Sequence, residues 1–522
     1  MFCMFPLKRL VLPQTVALLH RWSQYSNVHK SAMQILSQQR MSTSADNIDN
    51  FLSVTFGSPD LAAHLSETKC KTFCDFFKRL SLDEKNVFLK TMAQRYGINQ
   101  DSVLQNARSV IQCQDRGDAC LLKSEERLKL SLVPRYQQLF TQIGRLDGGV
   151  KFLVDMRADI LASMTAMSSE VDLSYFQALN YSLKELMVIW FSVGLLQLQR
   201  ITWESSCDLV QKISDYEAVH PIRSWSDVKQ RVGSYRRCFV FTHNAMPREP
   251  VVVLHTALTS EISSSIHSII QSQGLRRQSV SQAQRSPEAP MSDNLVEEKE
   301  DPSKISAAVF YSITSTLKGL SGVDMGNYLI KCVVRELQSE HPQINQFSSL
   351  SPIPGFRDWL IGEVNKHLHL TGIGELTDDH LLTDEECGQL HPYRQTDSQS
   401  VLETFKFYIQ THQWITNPDL THILKVPLMR LCARYLYMEK RRGYALNPVA
   451  TFHLRNGAVI WRLNWMADTS MRGLSQSCAV MVNYRYFLEN TEKNSRNYLE
   501  NHIIEGSKEF IDLATGISPS PT

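Results

Sequence analysis

The chain changes texture once, near Ile201, and that change limits its fold more than any single motif does. Before it, apolar residues recur at helical spacing. In Leu82–Gly97, "LDEKNVFLKTMAQRYG", the apolar positions fall at 87, 88, 89, 92 and 96; acids lead, a base trails, and Gly97 marks a stop. The run Ser124–Gly144 repeats the pattern with a proline interruption, and the runs from Gly148 to Met167 and from Tyr175 to Ile201 continue it. β-branched alternation is scarce, so residues 46–200 predict a helical bundle. After Ile201 the period shortens. Arg236–His243 and Glu249–Thr259 are β-rich runs separated by a turn-like "NAMPR"; Ile305–Ser315 is a further strand and Gly326–Glu340 an amphipathic helix. "INQFSSLSP" follows as a strand, then helices and a late strand within Gly457–Asp468. Strands alternating with helices predict a mixed α/β domain over 201–515. The fold class expected is therefore α+β, mixed: an all-α N-terminal bundle followed by an α/β domain.

Two segments stand outside that plan. Gln273–Lys304 is rich in Ser, Pro, Gln and charge and nearly free of large apolar side chains, so it cannot bury a core and reads as a disordered insertion. Residues 1–45 carry Lys8, Arg9, Arg21, Lys30 and Arg40 but no acid, with leucines and bases at near-helical spacing. That is the pattern of a mitochondrial targeting segment. Met41 offers a second start that would leave a cytoplasmic form. The terminal "SPSPT" carries no Ser-Lys-Leu signal, so a peroxisomal destination is disfavoured.

Bulk properties exclude several classes. A net charge of +2 over 522 residues gives no basic field for nucleic acid. The longest apolar run, Leu186–Leu196, is too short to cross a bilayer and reads as a buried helix. Eleven cysteines contain no C-x-x-C pair, which argues against a zinc ribbon or a disulfide framework. No metal site is expected.

Three pieces carry chemistry. In "GLSGVDMGNYLIKCVV", glycines at 319, 322 and 326 punctuate a strand-to-helix turn, which suits phosphate, although a plain connection is the commoner meaning of that spacing. In "QFSSLSPIPGF", Ser351 precedes Pro352 and is pushed to extended geometry on a frame stiffened by two prolines. No G-x-S-x-G elbow supports a nucleophilic serine, and turn serines commonly bond only their own backbone. In Arg441–Ser470, His453 lies in a run read as extended, just before the turn pair Asn456-Gly457, where burial can tune an imidazole for acid or base work, although on this pattern alone a hydrogen-bonded structural histidine is the commoner outcome.

These pieces, in this order, resemble malonyl-CoA decarboxylases. The likeness runs from about Asn47 to Ile511 and includes "EAVHPIRSW", "VGSYRRC", "FSSLSPIPGF", "PLMRLCARYLY", "RGYALNPVATFHLRNGAVIWRLNWMAD" and "NYRYFLE". It implies a helical oligomerisation domain over 46–200 and an acetyltransferase-like (GNAT) catalytic domain over 201–515. It further implies conversion of malonyl-CoA to acetyl-CoA and carbon dioxide with no metal or organic cofactor, and a homotetramer. The family's catalytic serine matches Ser351 and its catalytic histidine matches His453. Its CoA-gripping turn matches Ser321, Gly322, Val323, Asp324, Met325, Gly326 and Asn327, and a tyrosine near the substrate matches Tyr486. Asp324 stands where the family pattern has glutamate, one methylene longer. Two other readings remain open: an acyl-CoA N-acyltransferase on the same fold, and a non-catalytic scaffold that senses acyl-CoA.

Overall fold

The computed structural model describes residues 45–57, 65–270, 300–323, 328–372 and 381–516. The expected targeting segment, the Met41 start and most of the polar insertion lie outside them. The described residues divide into two compact units. One holds residues up to Trp190 together with Leu317–Val323; the other holds Phe191–Thr316 and the residues from Asp324 onward.

The first unit is helical, with helices at 45–56, Glu67–Arg79, Leu82–Arg95, Gln100–Cys113, Asp118–Ser131, Arg135–Ile143, Gly149–Ala166 and Glu170–Trp190. Local chemistry sets the boundaries. Ser81 and Glu84 form a reciprocal capping box, Asn99 caps the next helix, and Pro134 separates two helices where the sequence shows its proline interruption. Phe73, Phe77, Phe88 and Phe152 meet edge to face in the core. Cys113 and Cys120 are joined by a disulfide across the turn between two helices. The cysteine spacing had argued only against a disulfide framework; this single link, seven residues apart, follows no motif. The segment Leu317–Val323 is tied to this unit by Arg157. Its guanidinium donates to the carbonyls of Gly319 and Ser321, the latter at 2.9 Å, and to Asn180 Oδ1 at 2.9 Å.

The second unit is built on a mixed sheet of order β1-β2-β3-β4-β5-β10-β6, with β9 also on β10. The strands are β1 (Leu196–Ile201), β2 (Arg236–His243), β3 (Met246–Thr259), β4 (Ala307–Ser315), β5 (Gln346–Ser349), β6 (Ser351–Pro352), β7 (Lys440–Arg441), β8 (Tyr444–Ala445), β9 (Val459–Asn464) and β10 (Met481–Tyr486). β7 and β8 form a separate small ribbon. β1 to β4 are antiparallel neighbours, and β4 and β5 run parallel with the helix Tyr328–Glu340 between them. The helices Cys207–Tyr216 and Trp225–Val232 cover one face, where Leu209, Val210, Ile213 and Val228 pack on Cys238, Val240 and Val253.

Four expectations need correction. The last helix of the first unit stops at Trp190, and "LQLQRI" is β1, because its alternation suits an edge strand better than a helix. The apolar run Leu186–Leu196 is therefore not one buried helix; Val188 and Ile189 are exposed. β3 starts at Met246, so most of the "NAMPR" stretch belongs to the strand and the turn is only Asn244-Ala245. The polar insertion ends earlier than read. Glu300 accepts hydrogen bonds from the Tyr235 amide and from Arg237, and Asp301 caps a short turn at Pro302–Lys304. Glu300, Glu340 and His341 converge as metal ligands would, but Arg237 already donates to all three side chains. That cluster is an ion-pair knot around the protein's own cation.

Candidate active site

The strand that carries Ser351 is held from two sides. β5 and β6 run along β10 as one strand interrupted at Leu350, with Val482 opposite Ser351 and Tyr486 opposite Phe347. The Leu350 amide donates to the Phe310 carbonyl of β4. Beyond it the Pro-Ile-Pro bend is gripped at the Pro354 carbonyl, which accepts from Asn447 Nδ2 at 2.8 Å and from the Tyr435 hydroxyl at 3.2 Å.

His453 lies on the helix Pro448–Arg455, where the sequence had suggested an extended run. The reason is local. Asn447 caps the helix by accepting from the Ala450 amide at 2.9 Å, and Pro448 occupies the first turn, where its missing N–H costs nothing. These two signals outweigh the β-branched and aromatic character of "VATFH". The Asn456-Gly457 turn then delivers the chain into β9. Gly457 sits at φ +76°, and a Cβ there would fall on the Thr491 carbonyl.

Ser351, His453 and Tyr486 come together in one buried chain of hydrogen bonds. Ser351 Oγ lies 2.9 Å from His453 Nε2, and His453 Nδ1 lies 2.6 Å from the Tyr486 hydroxyl. The directions follow from counting hydrogens. Ser351 donates its one hydroxyl hydrogen to Ser349 Oγ at 2.8 Å. His453 Nε2 must then be the donor to Ser351, which leaves Nδ1 as the acceptor of the Tyr486 O–H. The imidazole is thus neutral and fixed in its Nε2–H tautomer. Burial agrees, pushing the His453 pKa down to about 3 and the Tyr486 phenol well above its ordinary range. The Tyr484 ring stacks on the imidazole at 4.3 Å, and the Tyr484 amide donates to Ser349 Oγ at 3.3 Å.

Of the other expected site residues, Ser321, Gly322 and Val323 belong to the first unit, and Asp324, Met325, Gly326 and Asn327 lie outside the described residues. Tyr486, expected near the substrate, has its hydroxyl on His453 Nδ1. Ser349, Tyr484 and Asn447 were not singled out from the sequence. The Asn-Pro pair before the helix was a readable cap signal, whereas Ser349 and Tyr484 gain their roles only through contacts made across the sheet.

A buried serine–histidine–tyrosine chain at the end of a sheet strand is the kind of arrangement that acid–base enzymes use. The comparisons with known proteins supply the family. The description "Malonyl-CoA decarboxylase N-terminal domain" matches residues 96–191 and "Malonyl-CoA decarboxylase C-terminal domain" matches residues 194–515. The mitochondrial malonyl-CoA decarboxylase of Mus musculus is 45% identical over 451 residues, covering 86% of this chain and 85% of that protein. The corresponding protein of Anser anser anser is 43% identical over 453 residues, covering 86% and 84%. The crystal structure of malonyl-CoA decarboxylase from Rhodopseudomonas palustris superposes with a TM-score of 0.70 at 27% identity, covering 89% of this chain and 98% of that one. That from Agrobacterium vitis gives 0.69 at 26%, covering 90% and 99%. The chain belongs to the malonyl-CoA decarboxylase family.

Proposed function

We propose that this protein decarboxylates malonyl-CoA to acetyl-CoA and carbon dioxide, with Ser351 and His453 as the catalytic pair. The observation that carries the reading is the buried 2.9 Å contact between Ser351 Oγ and the Nε2–H of a neutral imidazole. Loss of carbon dioxide leaves an electron pair on the α-carbon, which the thioester carbonyl holds as an enolate. The residues must orient the breaking bond, support the developing oxyanion and return one proton to carbon. Ser351 turns its hydroxyl from Ser349 to the substrate oxygen, with His453 still donating to its Oγ. His453 then delivers the Nε2 proton to the α-carbon, the Tyr486 O–H refills Nδ1, and one proton from solvent completes the balance. Ser321, Gly322 and Val323, together with Asp324, Met325, Gly326 and Asn327 that follow them in the sequence, grip the CoA diphosphate.

The test is release of carbon dioxide and formation of acetyl-CoA from malonyl-CoA by the full chain. His453→Asn should lower kcat by roughly 10²- to 10⁴-fold, the usual share of a positioned acid or base, with CoA binding retained. Near wild-type turnover in that variant would remove His453 from the chemistry. The same reading places the protein in mitochondria, as its curated relatives are named, and assembles it as a homotetramer with 46–200 as the oligomerisation domain. Exposed Leu104, Ile111, Leu122 and Leu130 on two helices of that region support an assembly. Light scattering on the purified chain would decide the stoichiometry.

A further inference from the structure

Arg157 is 2% exposed, and no described carboxylate pairs with it. A buried cation without an anion is costly unless its donors are filled or its charge serves something nearby. Its donors are filled by Asn180 Oδ1 and by the carbonyls of Gly319 and Ser321. The consequence is directional. Across a trans peptide, the C=O of one residue and the N–H of the next point opposite ways. Pinning the Ser321 carbonyl onto Arg157 therefore aims the Gly322 N–H away from the helix, toward the exposed side of the turn.

That N–H has no acceptor among the described residues, and Gly322 is exposed at φ +71°, a backbone conformation that glycine adopts freely. Beside it stands Lys184 of the helix Glu170–Trp190. Its Nζ is 3.7 Å from where a Cβ on Gly322 would lie, and no described carboxylate pairs with it. An outward N–H, an ammonium with no described partner and a buried guanidinium behind the same peptide make this turn electropositive.

We infer that the helical unit takes part in substrate binding: Arg157 is a positioning residue that fixes the Ser321–Gly322 peptide, and Lys184 with the Gly322 N–H takes a phosphate of the CoA nucleotide. This deepens the reading above and rests on it. It gives residues 149–190 a task besides assembly. Lysine at position 157 would place one point charge where a planar fork now spans two carbonyls and an amide, so Arg157→Lys is not conservative here.

The experiment compares malonyl-CoA with malonyl-pantetheine, which has the same reacting end and no phosphates, using the full chain. Lys184→Ala should raise KM for malonyl-CoA roughly tenfold, the range of one charge-assisted hydrogen bond, with kcat retained. Arg157→Lys should raise the same KM, while malonyl-pantetheine kinetics match wild type for both variants. A merely structural role for Arg157 would lower turnover of both thioesters together and would overturn its assignment. Unchanged malonyl-CoA KM in Lys184→Ala, which folds independently of the Arg157 contacts, would overturn the phosphate site. If wild type turned over neither thioester, the decarboxylase reading itself would fall; wild-type turnover with unmoved KM values defeats only the present inference.

Discussion

Ser349 shows how one hydroxyl can orient its neighbour. It accepts from Ser351 Oγ and from the Tyr484 amide, so it decides which way the Ser351 hydrogen points. In Ser349→Ala that hydrogen loses its resting acceptor, and Ser351 becomes free to donate back to His453, which favours the wrong tautomer. Turnover should fall about five- to tenfold, the size of one neutral hydrogen bond, with KM little changed. A variant with unaltered kcat would show that Ser349 does not order the relay. Tyr486→Phe acts on the other nitrogen. Without the phenol 2.6 Å from Nδ1, the imidazole exchanges tautomers and part of the population presents no Nε2–H to Ser351. Expected is a larger loss of kcat than in Ser349→Ala, read out together with the histidine nitrogen shifts by NMR. Wild-type ¹⁵N shifts in the variant would separate Tyr486 from tautomer control.

At the scale of elements, one side chain couples the two halves of the relay. Asn447 accepts from the Ala450 amide to start the His453 helix and donates to Pro354, in the bend that follows Ser351. Loss of a helix cap alone costs about 1 kcal/mol. Asn447→Ala also frees the bend, so kcat should drop by at least tenfold, more than that stability loss accounts for. Asn447→Asp restores the cap acceptor but not the donor to Pro354. Recovery of thermal stability without recovery of kcat in Asn447→Asp is the expected split; joint recovery would mean the bend contact is idle. The same helix marks where sequence reading succeeds and fails. Ser351 on a proline-stiffened strand end was legible because Pro fixes φ of its own residue and restricts the one before. The strands Arg236–His243 and Ala307–Ser315 were legible because their β-rich composition suits a pleated, buried surface. The His453 helix was misread because eight residues rich in β-branched and aromatic types outvoted a two-residue cap signal. The contacts of Ser349 and Tyr484, and that of Asn447 with Pro354, bridge strands and bends that are distant in the chain, and no local pattern encodes them.

Among the described residues of the second unit, burial holds His453, His255 and His220 in neutral form and also lowers His412. Burial pushes His453 to about 3, His255 to about 3 and His220 to about 4, with Arg231 adding repulsion at the last two and outweighing the Glu217 carboxylate 3.4 Å from His255 Nε2. In the unfolded chain each titrates near 6.5. The unfolded state therefore binds more protons than the native state between about pH 6.5 and pH 4, and stability must fall as pH falls through that window. It is fully present above 6.5. Each such histidine contributes a slope of about 1.4 kcal/mol per pH unit once its unfolded form is charged, so three together approach about 4. Paired carboxylates such as Glu300 and Glu340, whose pKa values lie below the ordinary value, lose their contribution only at lower pH, which leaves the span from 6.5 to 5 to the histidines. Urea midpoints measured at pH 7.5, 6.5, 5.5 and 5 should be flat over the first interval and then decline steeply. His255→Gln should remove about a third of that slope while leaving the Ser351–His453 pair in place. A midpoint independent of pH down to 5 would mean that these imidazoles are not held neutral by burial. The neutral Nε2–H state assigned to His453 would then rest on hydrogen-bond direction alone.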